Sequence, residues 1–73
     1  MFYVYVLRSL KDHKFYIGYS ADLKGRFEAH NKGEVDITRH RIPLELVYYE
    51  SYINQQDATA REKSLKTQWA GII

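Results

Sequence analysis

The stretch FYVYVLRSLKDHKFYIGYS, residues 2–20, decides the fold of this chain. It contains two runs rich in aromatic and β-branched residues, 2–8 and 15–20, joined by the polar segment 9–14. Such runs are typical of β-strands, and the short polar connection predicts that the two strands pair as a hairpin.

Alternation of side chains along each strand separates the tyrosines from the plain apolar residues. If the apolar residues of both strands share one core, Tyr3, Tyr5 and Tyr16 lie together on the opposite face. A buried phenol needs a hydrogen-bond partner or water. The pattern therefore predicts a polar site built on the sheet, with Gly18 leaving room for close approach of a ligand or of backbone.

A helix is predicted over residues 21–32, with Ser20 as its N-cap and Gly33 as its stop signal. Arg26 and His30 lie four residues apart on this helix, so their side chains occupy one stripe of its surface. The segment that follows, up to Pro43, is predicted to be a loop.

A third strand is predicted over residues 44–50 and a second helix over residues 55–67. Asn54 and Asp57 resemble a capping pair at the start of that helix. The order strand, strand, helix, strand, helix predicts an α+β fold in which helices pack around a small, mostly antiparallel sheet. The 73 residues are expected to form one domain, residues 1–73, with a thin core.

The second helix carries a carboxylate where its pattern asks for an apolar residue. Ala58, Glu62, Leu65 and Trp69 recur at helical spacing and form its inward stripe. An inward carboxylate is unfavourable unless a positive group pairs with it. Glu62 is therefore either half of a salt bridge, which the pattern alone favours, or a metal ligand. The final stretch, residues 68–73, is interpreted as a docked tail or the start of a third helix.

Composition limits the classes of protein to consider. No cysteine is present, which excludes a disulfide and a thiolate zinc site. No apolar run approaches the ~20 residues that a membrane-spanning helix needs, and Met1 leads directly into strand-like sequence. We expect a soluble, cytoplasmic protein with no membrane association.

The net charge of +2, from 11 Lys and Arg against 9 Asp and Glu, does not by itself indicate nucleic-acid binding. The basic residues are clustered, however, and seven tyrosines are interleaved with them, which favours a nucleic-acid partner. Any one cluster taken alone is more typical of an ordinary solvated surface. The cationic residues expected to contact nucleic acid are Lys24, Arg39, Arg41, Lys63 and Lys66.

Five short motifs follow one another along the chain. They are Tyr3-Val4-Tyr5, Tyr16-Ile17-Gly18, residues 22–27 followed by His30-Asn31, residues 46–50, and residues 60–66. In this order and spacing they resemble the GIY-YIG nuclease family, in particular its small single-domain bacterial branch.

The resemblance implies a three-stranded antiparallel sheet flanked by helices and an endonuclease that hydrolyses DNA phosphodiester bonds with one divalent metal, Mg²⁺ or Mn²⁺. Tyr5 and Tyr16 match the two motif tyrosines, either of which could act as the general base. Arg26 matches the catalytic arginine, His30 a histidine found in many members, and Glu62 the metal-binding glutamate.

Departures from the family pattern are few. Tyr3 stands where the first motif has its leading glycine, Gly25 where a second basic residue is common, and Ile37 where a small polar residue is usual before Thr38. None of these removes a catalytic candidate.

Two alternatives to an autonomous nuclease remain open. One is a non-catalytic nucleic-acid-binding module whose tyrosines stack on bases. The other is a nuclease domain that needs a protein partner for targeting, because family nucleases usually take specificity from an attached DNA-binding domain. The joint presence of Tyr5, Tyr16, Arg26 and Glu62 favours a nuclease, with branched or damaged DNA and DNA repair as its expected setting.

Overall fold

The computed structural model describes residues 1–68, which form a three-stranded antiparallel sheet with two helices. The elements are β1 (Phe2–Ser9), β2 (Phe15–Ser20), α1 (Leu23–Asn31), β3 (Leu44–Tyr52) and α2 (Gln55–Gln68). The strand order is β2-β1-β3, so β1 is central. The predicted α+β class and element order are confirmed, while Trp69 and the rest of the final stretch lie outside the described residues.

Each face of the sheet is covered by one helix, which gives the domain two small cores. The α2 face, where α2 packs, has a core of Val4, Val6, Ile17, Ala58 and Leu65. The α1 face has a core of Tyr5, Leu7 and Leu44, against which Tyr16, Leu23 and Phe27 pack. The central strand is buried because it is covered from both sides, and the predicted alternation of tyrosines and apolar residues is confirmed.

Helix α1 starts later than predicted, and Ser20 is not its N-cap. Ser20 is still the last residue of β2, and its hydroxyl accepts a hydrogen bond from the Asp22 amide at 3.0 Å. Asp22 caps the helix instead, because its carboxylate accepts a hydrogen bond from the Gly25 amide at 3.1 Å. Gly33 lies just beyond the helix at φ 77°, a left-handed conformation that favours glycine, so the predicted stop signal is confirmed.

Helix α2 is held at its start and along its length. The Asn54 side chain accepts a hydrogen bond from the Asp57 amide at 2.8 Å, which confirms the predicted cap. Arg61 donates two hydrogen bonds to the Glu50 carboxylate, at 2.9 and 3.1 Å, and thereby joins α2 to β3. The hydroxyls of Tyr48 and Tyr52 donate to the same carboxylate. Across residues 1–68, no helix has the length and apolar character needed to span a membrane.

Candidate active site

Tyr5 lies at the centre of the α1 face. Its side chain is 1% exposed, and its backbone pairs with Gly18 of β2 and Tyr49 of β3. A Cβ atom added to Gly18 would lie 2.5 Å from both Cζ and the hydroxyl oxygen of Tyr5. The room that the sequence predicted beside the tyrosines is therefore filled by the ring of Tyr5 itself.

A chain of buried polar groups starts at the Tyr5 hydroxyl. This hydroxyl lies 3.1 Å from Nε2 of His30, and Nδ1 of His30 lies 2.7 Å from the Thr38 hydroxyl. His30 and Thr38 are both fully buried. Helix α1 thus presents His30 to the sheet, and the loop after α1 supplies its second partner.

His30 links Tyr5 to Thr38 through its two ring nitrogens. Because a hydroxyl can either donate or accept a hydrogen bond, these contacts fit both neutral tautomers of the imidazole. In one, Nδ1 accepts from Thr38 and Nε2–H donates to the Tyr5 oxygen. In the other, Nδ1–H donates to Thr38 and Nε2 accepts the proton of the phenol.

Tyr16 completes an aromatic cluster with these residues. Its ring centroid lies 5.1 Å from that of His30 and 6.4 Å from that of Tyr5. Tyr16 is half-buried, whereas Tyr5 and His30 are buried. The structure thus brings together the two motif tyrosines and the predicted histidine.

Burial keeps both central groups uncharged at neutral pH. It raises the pKa of Tyr5 to about 12, with Tyr16 and Glu62 acting in the same direction and Arg26 opposing them. Burial, with a smaller contribution from the Arg26 charge, lowers the pKa of His30 to about 4. Arg26 acts to lower the pKa of Tyr5, but burial outweighs it.

Arg26 and Glu62 approach this centre from different helices. Arg26 is exposed and lies one turn before His30 on α1. Glu62 belongs to α2, its side chain is 22% exposed, and its carboxylate lies 3.2 Å from Nζ of Lys66. The salt-bridge interpretation of Glu62 thus describes one of its contacts, while its charge also reaches the Tyr5 hydroxyl.

The five cations expected to contact nucleic acid differ in their exposure and in their ion pairs with other residues of the chain. Lys24 and Lys63 are exposed, and Arg39, also exposed, lies 3.9 Å from Asp36. Lys66 pairs with Glu62, as described above.

Arg41 is engaged within the fold. Its Nε lies 3.3 Å from Asp12, although without hydrogen-bond geometry, and its guanidinium donates to the Phe15 carbonyl at 3.5 Å. It therefore ties the loop after α1 to the β1–β2 hairpin.

Two residues that sequence reasoning did not single out also position the site. Thr38 orients His30, and Asn31 bonds both the amide and the carbonyl of Leu44, at 2.7 and 2.9 Å. Asn31 thereby fixes the end of α1 against β3. An Asn directly after the motif histidine was a visible signal, whereas Thr38 lies in a loop whose path the sequence does not indicate.

Comparisons with known proteins agree with this geometry. A family model described as GIY-YIG catalytic domain matches residues 1–70. The chain is 46% identical over 66 residues to a UPF0213 protein of Pediococcus pentosaceus, covering 89% of this chain and 68% of that protein.

It is 42% identical over 67 residues to a UPF0213 protein of Clostridium perfringens, covering 90% of this chain and 71% of that one. No solved structure matches the chain. The names of these relatives state no reaction, so function has to be argued from the site.

Proposed function

The chain belongs to the GIY-YIG family, and on that premise we propose that it is an endonuclease that hydrolyses DNA phosphodiester bonds with one divalent metal ion. The observation that carries the proposal is the convergence of four groups on the Tyr5 hydroxyl. His30 contacts it directly, and Tyr16, Arg26 and Glu62 act on its pKa. A purely structural core would have little use for a carboxylate and a guanidinium beside a buried phenol.

Arg26 has the role of holding the scissile phosphate. Phosphodiester hydrolysis builds negative charge on the phosphoryl oxygens, and a guanidinium fork can donate two parallel hydrogen bonds to such a group. Arg26 is exposed and also close enough to act on the Tyr5 hydroxyl. A phosphate bound to it would therefore lie beside the phenol.

Glu62 has the role of holding the metal ion. Its carboxylate is solvent-accessible, and its partner Lys66 is 54% exposed and free to move away. Residues 1–68 contain no cluster of three or more His, Cys, Asp or Glu that could ligate a metal. The donor set therefore fits a hard cation that keeps most of its waters, which is typical of Mg²⁺. When bound, such an ion supplies charge that stabilises the phosphoryl and leaving oxygens.

Tyr5 is the better-supported general base of the two tyrosines. This role requires the tautomer in which Nε2–H of His30 donates to the Tyr5 oxygen, a contact that would stabilise a phenolate. Burial is the main cause of the raised Tyr5 pKa of about 12, and the negative charge of Glu62 makes a smaller contribution in the same direction, which a bound cation would offset. Tyr5 could then accept a proton from the attacking water, with Tyr16 positioning that water.

The setting we propose is branched or damaged DNA in the cytoplasm, in DNA repair. A net charge of +2 provides little attraction for a long duplex. Because the electrostatic attraction to DNA is weak, we also propose a protein partner that brings the domain to its substrate.

The test is cleavage of labelled single-stranded, duplex and branched DNA with Mg²⁺ or Mn²⁺. We expect wild-type protein to cut at least one substrate and Glu62→Gln to abolish cutting, because the amide removes the negative charge that holds the metal. Glu28→Gln makes the same change at an exposed position of α1 and should cut like wild type.

Equal cutting by wild type and Glu62→Gln would point to a contaminating nuclease and would overturn the proposal. Binding of DNA without cutting under either metal would instead favour the non-catalytic binding module.

A further inference from the structure

An open groove of about 530 Å³ lies on the α1 face beside the Tyr5 site. Tyr3, Leu46 and Tyr49 form its floor on β1 and β3, and Leu23 and Phe27 form a wall on α1. The groove neighbours the candidate active site, because Tyr3 lies two residues before Tyr5 on the same face of β1, although Tyr5 itself does not line it. The proposed nuclease role does not use it.

Two phenol rings give the groove its chemistry. The rings of Tyr3 and Tyr49 are 6.3 Å apart and inclined at 60°, so they do not cover each other by stacking. Tyr49 is 54% exposed. Tyr3 stands where the family motif has glycine, so its ring is absent from the standard motif. An exposed ring such as that of Tyr49, beside the half-buried ring of Tyr3, is suited to stacking on a flat ligand.

The groove lies close to the active site. Tyr3 precedes Tyr5 by two residues, which places their Cα atoms about 7 Å apart at ~3.4 Å per residue. A nucleotide next to a phosphate held beside Tyr5 would therefore lie near enough for its base to enter the groove.

The groove is lined by one acidic and one basic side chain, Asp22 and Lys24, so its charges could contact both a base and a neighbouring phosphate. The Asp22 carboxylate lines it and accepts a hydrogen bond from the Gly25 amide at 3.1 Å. Its negative charge repels a phosphate, whereas a carboxylate accepts hydrogen bonds from the amino group of a base. Lys24, also in the lining, can attract the phosphate that follows.

We propose that this groove binds an unpaired nucleobase next to the scissile phosphate, so that the substrate is DNA with a single-stranded segment. The inference rests on the proposed function for the position of that phosphate. Bases in an intact duplex are stacked and cannot enter such a groove unless they are extruded.

The test is DNA binding by fluorescence anisotropy with metal removed by chelation, so that no cutting occurs. Tyr49→Ala should weaken binding of a single-stranded oligonucleotide by roughly 5- to 150-fold, the loss expected for one base–aromatic stack. Tyr49→Phe keeps the ring and should bind like wild type. Binding of a fully paired duplex should be unchanged by either substitution.

Tyr48→Ala is the matched control, because Tyr48 is the preceding residue, is 44% exposed and lies on the opposite face of β3. It should leave binding unchanged, and circular dichroism should show both alanine variants folded. The proposal is overturned if wild type does not bind single strands, or if Tyr49→Ala and Tyr48→Ala bind alike.

These experiments can contradict the groove proposal and the nuclease proposal separately. Binding that depends on Tyr49 in a protein that cuts no DNA supports the groove and removes the proposed function. Cutting that depends on Glu62, with Tyr49→Ala binding as tightly as wild type, retains the function and overturns the groove.

Discussion

His30 and Tyr5 are held uncharged by one physical cause that acts on opposite kinds of group. Burial disfavours a charged imidazole and a charged phenolate alike, so the pKa of His30 falls to about 4 and that of Tyr5 rises to about 12. A neutral imidazole can donate from only one nitrogen. Which nitrogen donates decides whether His30 stabilises the phenol or its anion, and Thr38 bears on that choice as the partner of Nδ1.

Replacing Thr38 tests the tautomer that the proposed general base requires, in which Thr38 donates to Nδ1 and Nε2–H donates to Tyr5. Thr38→Val keeps the shape but removes the donor to Nδ1, so we expect a loss of about 1–3 kcal/mol in the free energy of unfolding. Because Nε2 is then no longer fixed as a donor to Tyr5, the pH at which DNA cleavage is half-maximal should rise. Thr38→Ser restores the hydroxyl and should recover both properties. Urea unfolding and a cleavage pH profile measure them.

That tautomer is contradicted if Thr38→Val shifts stability but leaves the pH profile in place, since a merely structural hydroxyl would do that. At this scale the sequence predicted the shared face of Tyr5 and Tyr16, because strand alternation is a local rule. It could not predict the contact between Thr38 and His30, which depends on how the loop after α1 folds back.

Local sequence patterns predict the strands and helices, but they do not predict the contacts that hold one element against another. Alternation along β1 and β2 predicted both strands, and Asn54 predicted the start of α2. Ser20 was the wrong cap for α1 because it is still paired within β2, and Asp22 reaches the Gly25 amide instead. The Arg61–Glu50 contact was invisible in the sequence, since it requires knowing that α2 crosses β3.

That contact makes the attachment of α2 sensitive to acid. Arg61, together with the hydroxyls of Tyr48 and Tyr52, lowers the pKa of Glu50 from 4.5 to about 2. A lowered carboxyl pKa contributes stability that is present above pH 4.5 and lost as the pH falls towards 2. Wild-type protein should therefore lose stability across this window.

Arg61→Lys should reduce both the stability and its pH dependence. Lysine cannot donate the paired hydrogen bonds of the guanidinium, so the Glu50 pKa should return towards its ordinary value. Because the Arg61 side chain is 33% exposed, solvent screening keeps the expected loss at pH 7 small. Urea unfolding at pH 7 and pH 3 gives the comparison, with Lys63→Arg as the control on the exposed side of the same helix. Equal losses of stability on acidification in wild type and Arg61→Lys would contradict this account.

The whole molecule assembles its site from both sides of a thin sheet. Tyr5, Tyr16, Arg26 and His30 belong to the α1 face, whereas Glu62 comes from α2, which packs on the other face. Motif order could assign these residues to elements and, through the family, to roles. Their convergence on one hydroxyl could not be predicted from the sequence, because it depends on how both helices pack against a three-stranded sheet.

The cations also differ in a way that depends on packing and not on local sequence pattern. Lys24 and Lys63 are exposed and have no ion pair within residues 1–68, whereas Arg41 lies 3.3 Å from Asp12 with its side chain 20% exposed. A free cation that contacts a phosphate releases a counterion, and a cation already paired within the fold releases less. Sequence composition counts all three equally.

The salt dependence of single-stranded DNA binding tests whether Lys24 and Lys63 contact phosphates while Arg41 does not. Each of Lys24→Gln and Lys63→Gln should reduce the slope of log affinity against log salt by about 0.7, the value for one phosphate contact on a single strand. Arg41→Gln should leave the slope unchanged and lower the free energy of unfolding instead, because it removes a bridge between the loop and the hairpin. Anisotropy titrations between about 50 and 200 mM salt resolve such changes. A slope that falls for Arg41→Gln as much as for Lys24→Gln would mean that Asp12 releases Arg41 to the DNA, and that the loop after α1 opens when the substrate binds.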